Sequence, residues 1–260
     1  MNFDENLIVH IGLHKTGTSW LQSVLFTPGN GFCLLHEPNA PWNDALIRGL
    51  VQGFDFDPHQ IARLAESHWD KKNVPVISAE RLSGHPASGG FDRWEIADRL
   101  LRAFPKAKVV IGTREWSSWR RSIYQQLVSE GFTGKSLQDA LPETTWKQPG
   151  PHSSYFDVNA LVTGYKHRFG AERVFLWSYE QWTEDPARFL QCIAEVSKNP
   201  FAINALPDVK KRVNVSVSMR KTKAQRWSNY FLRSPLNPSP VILLPPFVAK
   251  AIGWVLSVFD

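Results

Sequence analysis

The strongest constraint on the fold is that short apolar segments alternate with stretches of helical periodicity along most of the chain. The candidate strands are residues 7–12, 74–78, 109–113 and 173–178. The candidate helices are residues 20–25, 94–104, 117–128, 158–169 and 186–196. Strands that alternate with helices favour βαβ units, and such units build a parallel sheet that binds ligands at the carboxyl ends of its strands. The sequence therefore predicts an α/β fold with a central parallel sheet and helices on both faces.

Length and composition indicate a globular protein. The chain has 260 residues and 43% hydrophobic residues, which is typical of that class. We expect one folded domain over residues 1–234 and an apolar C-terminal tail over residues 235–260.

The two cysteines, Cys33 and Cys192, are far apart and indicate neither a disulfide framework nor a metal site. Asp4 and Glu5 stand where a secretory signal carries positive charge, so we expect a cytoplasmic location.

The first candidate strand runs into a glycine-containing turn that opens a helix, GLHKTGTS at residues 12–19. Such a turn directs backbone N–H groups and the positive end of a helix dipole at a ligand, which makes an anion site. A Walker A loop reads G-x-x-x-x-G-K-[ST], and here position 18 is Thr while the lysine is Lys15, inside the loop. A lysine in that place can neutralise the oxygen that bridges a 5′-phosphate and a transferred group without a metal.

The segment HIGLHKTGTSWLQ, residues 10–22, resembles the 5′-phosphosulfate-binding loop of the superfamily of sulfotransferases that use 3′-phosphoadenosine 5′-phosphosulfate (PAPS). The resemblance implies a P-loop NTPase-like sulfotransferase fold over residues 1–234. It also implies a nucleotide-binding transferase that moves a sulfuryl group from PAPS to a hydroxyl or amine and releases PAP, with no metal required. The donor-binding residues that it implies in this loop are His14, Lys15, Thr16, Gly17, Thr18, Ser19 and Trp20.

PAPS carries a 3′-phosphate, so a second cationic site is needed away from the loop. The segment REWSSWRRSIY, residues 114–124, resembles the 3′-phosphate motif of the superfamily, with Arg114 at a strand end and Ser122 on the next helix. Arginine grips a phosphate through two parallel N–H donors. The motif departs from its relatives at Trp116, where they usually carry proline. RVNVS at residues 212–216 resembles the segment by which bacterial members close over the nucleotide, which implies contacts from Arg212, Asn214 and Ser216.

Sulfuryl transfer also needs a group that stabilises the leaving phosphate and a base that removes the proton of the acceptor. Lys15 is the candidate for the leaving-group side. Glu80, which follows the candidate strand at residues 74–78, and His14, in the loop, are both candidates for the base. Glu80 is favoured because it resembles the catalytic glutamate that heparan-type and several bacterial sulfotransferases carry after the corresponding strand. The segment RVFLWSYE, residues 173–180, with Asp185 and Pro186 after it, resembles the late strand of the family and implies a structural role.

The charge of the chain is concentrated near its C-terminal end. The formal net charge is +6, and residues 209–233 hold eight basic and no acidic side chains. Residues 241–259 are mostly apolar, but Pro245, Pro246 and Lys250 interrupt them, which argues against a membrane span. Two alternatives stay open: the tail docks on the core, or it forms a peripheral contact with the anionic inner membrane surface, where the acceptor could be lipid-like.

Two other functions fit parts of the pattern. A P-loop kinase or nucleotide triphosphatase would need a lysine at position 18 and a carboxylate at a strand end, and the sequence has neither. A non-catalytic module that binds membranes or nucleic acid would use the basic stretch alone. No base-reading helix or RNA-stacking motif accompanies that charge, so we expect no nucleic acid partner. The acceptor, a small molecule or a lipid-like compound, cannot be read from the sequence.

Overall fold

The structure is a computed structural model that describes residues 2–37, 44–141, 152–199 and 218–258. The chain divides into two compact units. We call the first the sheet unit, and it comprises Met1–His85, Gly90–Glu115 and Asp157–Asn214. We call the second the helical unit, and it comprises Pro86–Gly89, Trp116–Phe156 and Val215–Asp260.

The sheet unit is built on one five-stranded sheet in which every described pairing is parallel. The order is β2-β3-β1-β4-β5, so the first strand lies at the centre. The strands are β1 (Ile8–His10), β2 (Phe32–Leu34), β3 (Val74–Ser78), β4 (Lys108–Thr113) and β5 (Val174–Ser178). The predicted α/β class and parallel sheet are confirmed, and the short edge strand β2 is an addition that the sequence did not predict.

Helices flank the sheet, and polar caps fix where several of them begin. Asp44, Asp57, Asp157 and Asp185 each accept a hydrogen bond from a backbone N–H in the first turn of the helix that follows. The helices of the sheet unit are α1 (Phe3–Asn6), α2 (Thr18–Trp20, followed by a π-helical turn at Leu21–Leu25), α3 (Ala45–Gln52), α4 (Pro58–Ser67), α5 (Arg93–Ala103), α8 (Val158–Phe169), α9 (Tyr179–Glu184) and α10 (Pro186–Ser197).

An aromatic core packs against the sheet below the glycine loop. The indoles of Trp20 and Trp182 lie with their ring centroids 4.9 Å apart, and Trp177 packs on Phe189 at 4.9 Å. These four side chains belong to one buried cluster that also takes in residues of β1, β2, β3 and β4. Burial of aromatic side chains dominates the energetics of such a core, so the loop rests on tightly packed aromatic side chains.

The helical unit contains α6 (Trp116–Ser129), α7 (Leu137–Ala140), α11 (Met219–Ser228) and α12 (Pro246–Leu256). The side-chain amide of Asn229 joins α11 to the segment after α6, because its Nδ2 donates to the carbonyls of Val128 and Thr133 at 2.8 Å each. A Cβ on Gly253 would overlap Ser228, so α12 crosses α11 at close range. None of the helices in the described ranges has the length and apolar character needed to cross a bilayer.

Candidate active site

The glycine loop lies at the carboxyl end of β1 and has a backbone shape that exposes N–H groups. Lys15 has φ 67° and Gly17 has φ 97°, so the chain enters the left-handed region twice within three residues. Alternation of this kind turns successive N–H groups toward one side and forms an anion-binding concavity. Within the part of the chain that the structure describes, the backbone N–H groups of Lys15, Gly17 and Thr18 donate to no acceptor.

Two glycines are required by the packing around the loop. A Cβ on Gly12 would overlap Thr18 Oγ1 and lie 2.8 Å from His10 Cε1, and both of those side chains are buried. A Cβ on Gly17 would lie 2.7 Å from the indole of Trp182, and its positive φ disfavours other residues as well. The loop is therefore held close to the core by contacts that only glycine permits at positions 12 and 17.

Glu80 and His14 lie beside each other next to the loop. Glu80 opens a 3₁₀ turn, Glu80–Ser83, one residue after β3, and its Oε2 is 4.0 Å from His14 Nε2. The His14 side chain is 6% exposed, whereas that of Glu80 is 33% exposed. Burial, followed by the positive charges of His85, Arg81 and Lys15, lowers the pKa of His14 well below its ordinary value. His14 is therefore neutral at pH 7, and the carboxylate is the more accessible of the two groups.

Ser83 connects the turn that carries Glu80 to the glycine loop. Its hydroxyl lies 2.8 Å from the carbonyl of Glu80 and 3.3 Å from the carbonyl of Gly12, so it can donate to either. The buried Arg93 donates from Nε to the carbonyl of Ser83 at 3.0 Å. Ser83 therefore joins the turn that carries Glu80 to the start of the glycine loop.

Arg114, at the carboxyl end of β4, also contacts the loop. Its Nη1 donates to the carbonyl of Lys15 at 2.9 Å, and its guanidinium lies 4.5 Å from the ring centroid of Tyr179. Stacking on an aromatic ring fixes the plane of a guanidinium. The structure therefore brings together Lys15 and Arg114, which are separated by about a hundred residues in the sequence and which come from two independent motifs.

One solved structure decides the fold. A sulfotransferase from Alicyclobacillus acidocaldarius is similar to this chain with a TM-score of 0.56 and 17% identity, and the match covers 86% of this chain and 93% of that one. The chain has the sulfotransferase fold. A sulfotransferase domain from the curacin biosynthetic pathway matches with a TM-score of 0.44 and 14% identity over 94% of this chain and 85% of that chain. No family model and no curated protein matches the chain.

Within this sulfotransferase fold, three side chains of the predicted donor site point into the protein. Thr16 is fully buried, and its Oγ1 donates to the carbonyl of Leu13 at 2.6 Å. Thr18 and Trp20 are each 2% exposed. These side chains brace the loop from below, so a ligand above the loop would meet the backbone of Thr16 and Thr18 and not their hydroxyls. Lys15, in contrast, is exposed, and Ser19 is partly exposed.

The other predicted donor residues belong to the helical unit or lie outside the described residues. Ser122 belongs to the helical unit, where its hydroxyl donates to the carbonyl of Ser118 at 2.9 Å, while Arg114 belongs to the sheet unit. Arg212, Asn214 and Ser216 lie outside the described residues. Contacts of these four side chains with a nucleotide stay predictions. The described residues hold no cluster of His, Cys, Asp or Glu that could bind a metal ion.

A buried polar network at the carboxyl ends of β1 and β3 was missed by the sequence reasoning. His10 Nδ1 and Ser78 Oγ share a hydrogen bond of 2.8 Å, and the backbone N–H of Ser78 donates to His36 Nε2 at 3.1 Å. Gln22 closes the network, because its Nε2 donates to the carbonyl of Ser78 at 2.5 Å. The signal for it was a histidine and a serine at the ends of two strands that are otherwise apolar.

Proposed function

We propose that this protein is a sulfotransferase that moves a sulfuryl group from PAPS to a hydroxyl or amine of a small or lipid-like acceptor. The observation that carries the proposal is the position of Lys15, Arg114 and Glu80 around one edge of the sheet in a chain with the sulfotransferase fold. PAPS supplies an activated sulfuryl group on its 5′-phosphate and leaves as PAP.

The loop fits the phosphate end of such a donor. The N–H groups of Lys15, Gly17 and Thr18 have no acceptor among the described residues, and a phosphate oxygen can accept from several of them at once. The Lys15 side chain is exposed beside them and can hold positive charge against the oxygen on which negative charge develops. A nucleotide triphosphatase is not favoured, because position 18 is threonine and the lysine stands three residues earlier.

Glu80 is the better candidate for the base. A base must be able to reach the acceptor, and the Glu80 carboxylate is about a third exposed while the His14 imidazole is buried. His14 is also a weak base here, because burial lowers its pKa well below the ordinary value. A neutral His14 can instead donate from Nε2 toward Glu80 and orient the carboxylate. In the proposed step the acceptor oxygen or nitrogen bonds to sulfur, the bond between sulfur and the bridging phosphate oxygen breaks, and the acceptor proton passes to Glu80.

The first experiment compares nucleotides by calorimetry in the presence of a metal chelator. PAP is expected to bind without Mg²⁺ and more tightly than AMP, since the 3′-phosphate is expected to meet Arg114. The Arg114→Ala variant should bind PAP about thirtyfold more weakly, the loss that follows when one member of a charged contact is removed. Arg188→Ala, at an exposed position on α10, is the matched control. Equal affinity for PAP and AMP would contradict the 3′-phosphate assignment, and tighter binding of ATP in Mg²⁺ would favour a nucleotide triphosphatase.

The second experiment separates the two candidate bases. Panels of alcohols, amines, sugars and lipids are incubated with labelled PAPS until an acceptor is found. With that acceptor, Glu80→Gln should keep PAP affinity and lose most of its turnover, while Glu184→Gln, at an exposed site on α9, should keep both. If His14→Gln abolishes turnover and Glu80→Gln does not, the roles of base and orienting group are reversed.

A further inference from the structure

Helix α12 in the helical unit has small residues on the side that is packed. Ala249, Gly253 and Ser257 are buried, and they repeat every four residues along one face. A Cβ on Gly253 would overlap Ser228 Oγ, which itself donates to the carbonyl of Ala224 at 2.9 Å. The small residues thus allow α12 to pack closely on α11, and this contact fixes which face of α12 points away from the unit.

The opposite face of α12 carries the large apolar residues. Phe247 is 76% exposed, Trp254 47% and Val258 68%. Together with Ala251 and Val255, which are also exposed, these residues follow the spacing i, i+4, i+7, i+8 and i+11, which places them on one side of a helix. A helix that docks on a protein core has the reverse arrangement, with large apolar residues inside and polar residues outside. A contiguous exposed apolar stripe of this kind marks an interaction surface.

The segment before α12 extends the apolar surface. Val241, Ile242 and Leu243 are all exposed, and the carbonyls of Tyr230 and Phe231 accept hydrogen bonds from the N–H groups of Ile242 and Leu244 at 3.5 and 3.1 Å. These hydrogen bonds hold the segment against the end of α11, and its three apolar side chains are left exposed to water. We call these three residues and the exposed face of α12 the apolar surface.

Basic residues are concentrated in the segment that carries the apolar surface. Residues 218–258 include no acidic residue and six basic ones, namely Arg220, Lys221, Lys223, Arg226, Arg233 and Lys250. The guanidinium of Arg220 lies 5.8 Å from the ring centroid of Trp254, so charge and apolar surface meet directly. Lys250 is exposed on α12 itself. Large apolar side chains bordered by basic ones are complementary to a bilayer surface that carries negative headgroups.

We propose that the apolar surface binds an anionic lipid bilayer, with α12 lying parallel to the membrane plane. The stripe runs along the helix and ends at Val258, two residues past its last residue, so the parallel orientation brings all of its apolar side chains to the boundary between headgroups and acyl chains. A second copy of the chain is a poorer occupant, because two surfaces rich in Lys and Arg repel each other. The basic residues would remain at the headgroups, where their long side chains can reach the phosphates.

Co-sedimentation of the full chain with two kinds of vesicle tests the proposal. One kind contains phosphatidylcholine and phosphatidylglycerol, and the other contains phosphatidylcholine alone. The chain should bind the first, bind the second much more weakly, and dissociate as salt is raised, because salt screens the attraction between charges. Brominated lipids should quench part of the tryptophan fluorescence, and Trp254→Phe should remove most of that quenching.

Matched variants separate the apolar surface from apolar and basic residues elsewhere. The triple variant Phe247→Ser, Trp254→Ser, Val258→Ser should lower the partition coefficient by about a hundredfold or more. The control Phe54→Ser, Phe91→Ser changes two exposed aromatic residues of the sheet unit and should have no effect. Lys221→Gln with Lys250→Gln should lower binding roughly thirtyfold at low salt. Its control is Lys72→Gln with Lys166→Gln, at exposed sites of the sheet unit, and it should bind like the unchanged chain.

Three outcomes would overturn the proposal. The chain could stay in the supernatant with anionic vesicles at low salt. It could bind equally well to phosphatidylcholine alone, which would remove the role of the basic residues. It could also form dimers, detected by analytical ultracentrifugation, that the triple variant abolishes, which would assign the apolar surface to a second copy. The PAP affinity of every variant is measured as a check on folding, because none of the changed residues lies in the proposed donor site.

Discussion

Acid should destabilise this protein through His10, and the variant His10→Gln should remove that part of the effect. The imidazole is fully buried at the end of β1, where Nδ1 bonds to Ser78 and Nε2 has no partner among the described residues. A charged imidazolium has two donors and would leave one of them unsatisfied in the core. Burial accordingly lowers the pKa of His10 from 6.5 to about 3.

The size and sign of the effect follow from linkage. Well above pH 6.5, His10 is neutral in both the folded and the unfolded chain, so His10 contributes nothing to the pH dependence of stability there. As pH falls below 6.5 the unfolded chain takes up a proton that the folded chain refuses, so stability is lost until the pH reaches about 3. For one histidine with these two pKa values, the free energy of unfolding falls by about 2 kcal/mol between pH 7 and pH 5.

Urea unfolding at pH 7, 6 and 5, followed by tryptophan fluorescence, measures this loss. The unchanged chain should lose at least about 2 kcal/mol between pH 7 and pH 5, and His10→Gln should lose about 2 kcal/mol less than that. His14 and His36, whose pKa values are also lowered by burial, contribute losses of the same sign in both proteins. Val9→Ala, on the same buried strand, should be less stable at every pH yet keep the full pH dependence. If the free energy of unfolding falls equally with pH in His10→Gln and in the unchanged chain, His10 is not held neutral by burial.

Three further substitutions test the packing and the chemistry of the described units. Gly12→Ala should cost about 1 to 3 kcal/mol of unfolding free energy because its Cβ would overlap Thr18 Oγ1. Thr18→Ala in the same chain should restore part of that loss, whereas Thr18→Val should not. Lys15→Ala should reduce turnover of PAPS more than tenfold while weakening PAP less, because its contact strengthens as charge develops on the leaving oxygen; equal losses would make it a binding residue only. Asn229→Leu removes the side-chain donor to the buried carbonyl of Thr133, while the carbonyl of Val128 keeps the N–H of Gly131 as a donor, so stability should fall by about 1 to 3 kcal/mol in urea unfolding.

The strands of the central sheet could be predicted because each is apolar and bounded by turn or helix signals. The predicted strand at residues 74–78 coincides with β3, and the other three predictions differ from β1, β4 and β5 by one or two residues at their ends. The edge strand β2 has three residues and no periodicity to read, and it becomes a strand only by pairing with β3. Such a strand is fixed by its neighbour and not by its own sequence.

The candidate site was partly predictable for a similar reason. Lys15, Glu80 and Arg114 each follow a predicted strand, and the carboxyl ends of parallel strands meet at one edge of the sheet. The sequence could not predict the contacts at this edge, which depend on how the strands are aligned. In the structure Arg114 donates to the carbonyl of Lys15, and Glu80 lies beside His14. The sequence also could not predict that the side chains of Thr16 and Thr18 point into the core, because a hydroxyl in such a loop can point toward the core or toward a ligand.

Strand β5 and helix α9 contact the glycine loop and Arg114 more directly than their sequence suggested. Trp177, on β5, lies against Gly112, and Thr16 Oγ1 approaches the same glycine, so any Cβ at position 112 would be too close to the indole. In the next helix Tyr179 lies under the guanidinium of Arg114, and Trp182 leaves no room for a side chain on Gly17.

The residues of β5 and α9 therefore set the position of both proposed phosphate contacts from below. A structural role for this segment was expected from the sequence, and besides the contacts of Trp177 and Trp182 with the core, the segment contacts the loop and Arg114. Glu180 adds a polar link, because its Oε1 accepts a hydrogen bond from the backbone N–H of Glu115 at 3.1 Å, directly after Arg114. Loss of the Trp182 indole would open a cavity under Gly17 and remove the side chain on which the loop rests. A binding site needs residues that hold its charged groups in place, and in this chain Tyr179 contacts Arg114 while Trp182 contacts the loop at Gly17.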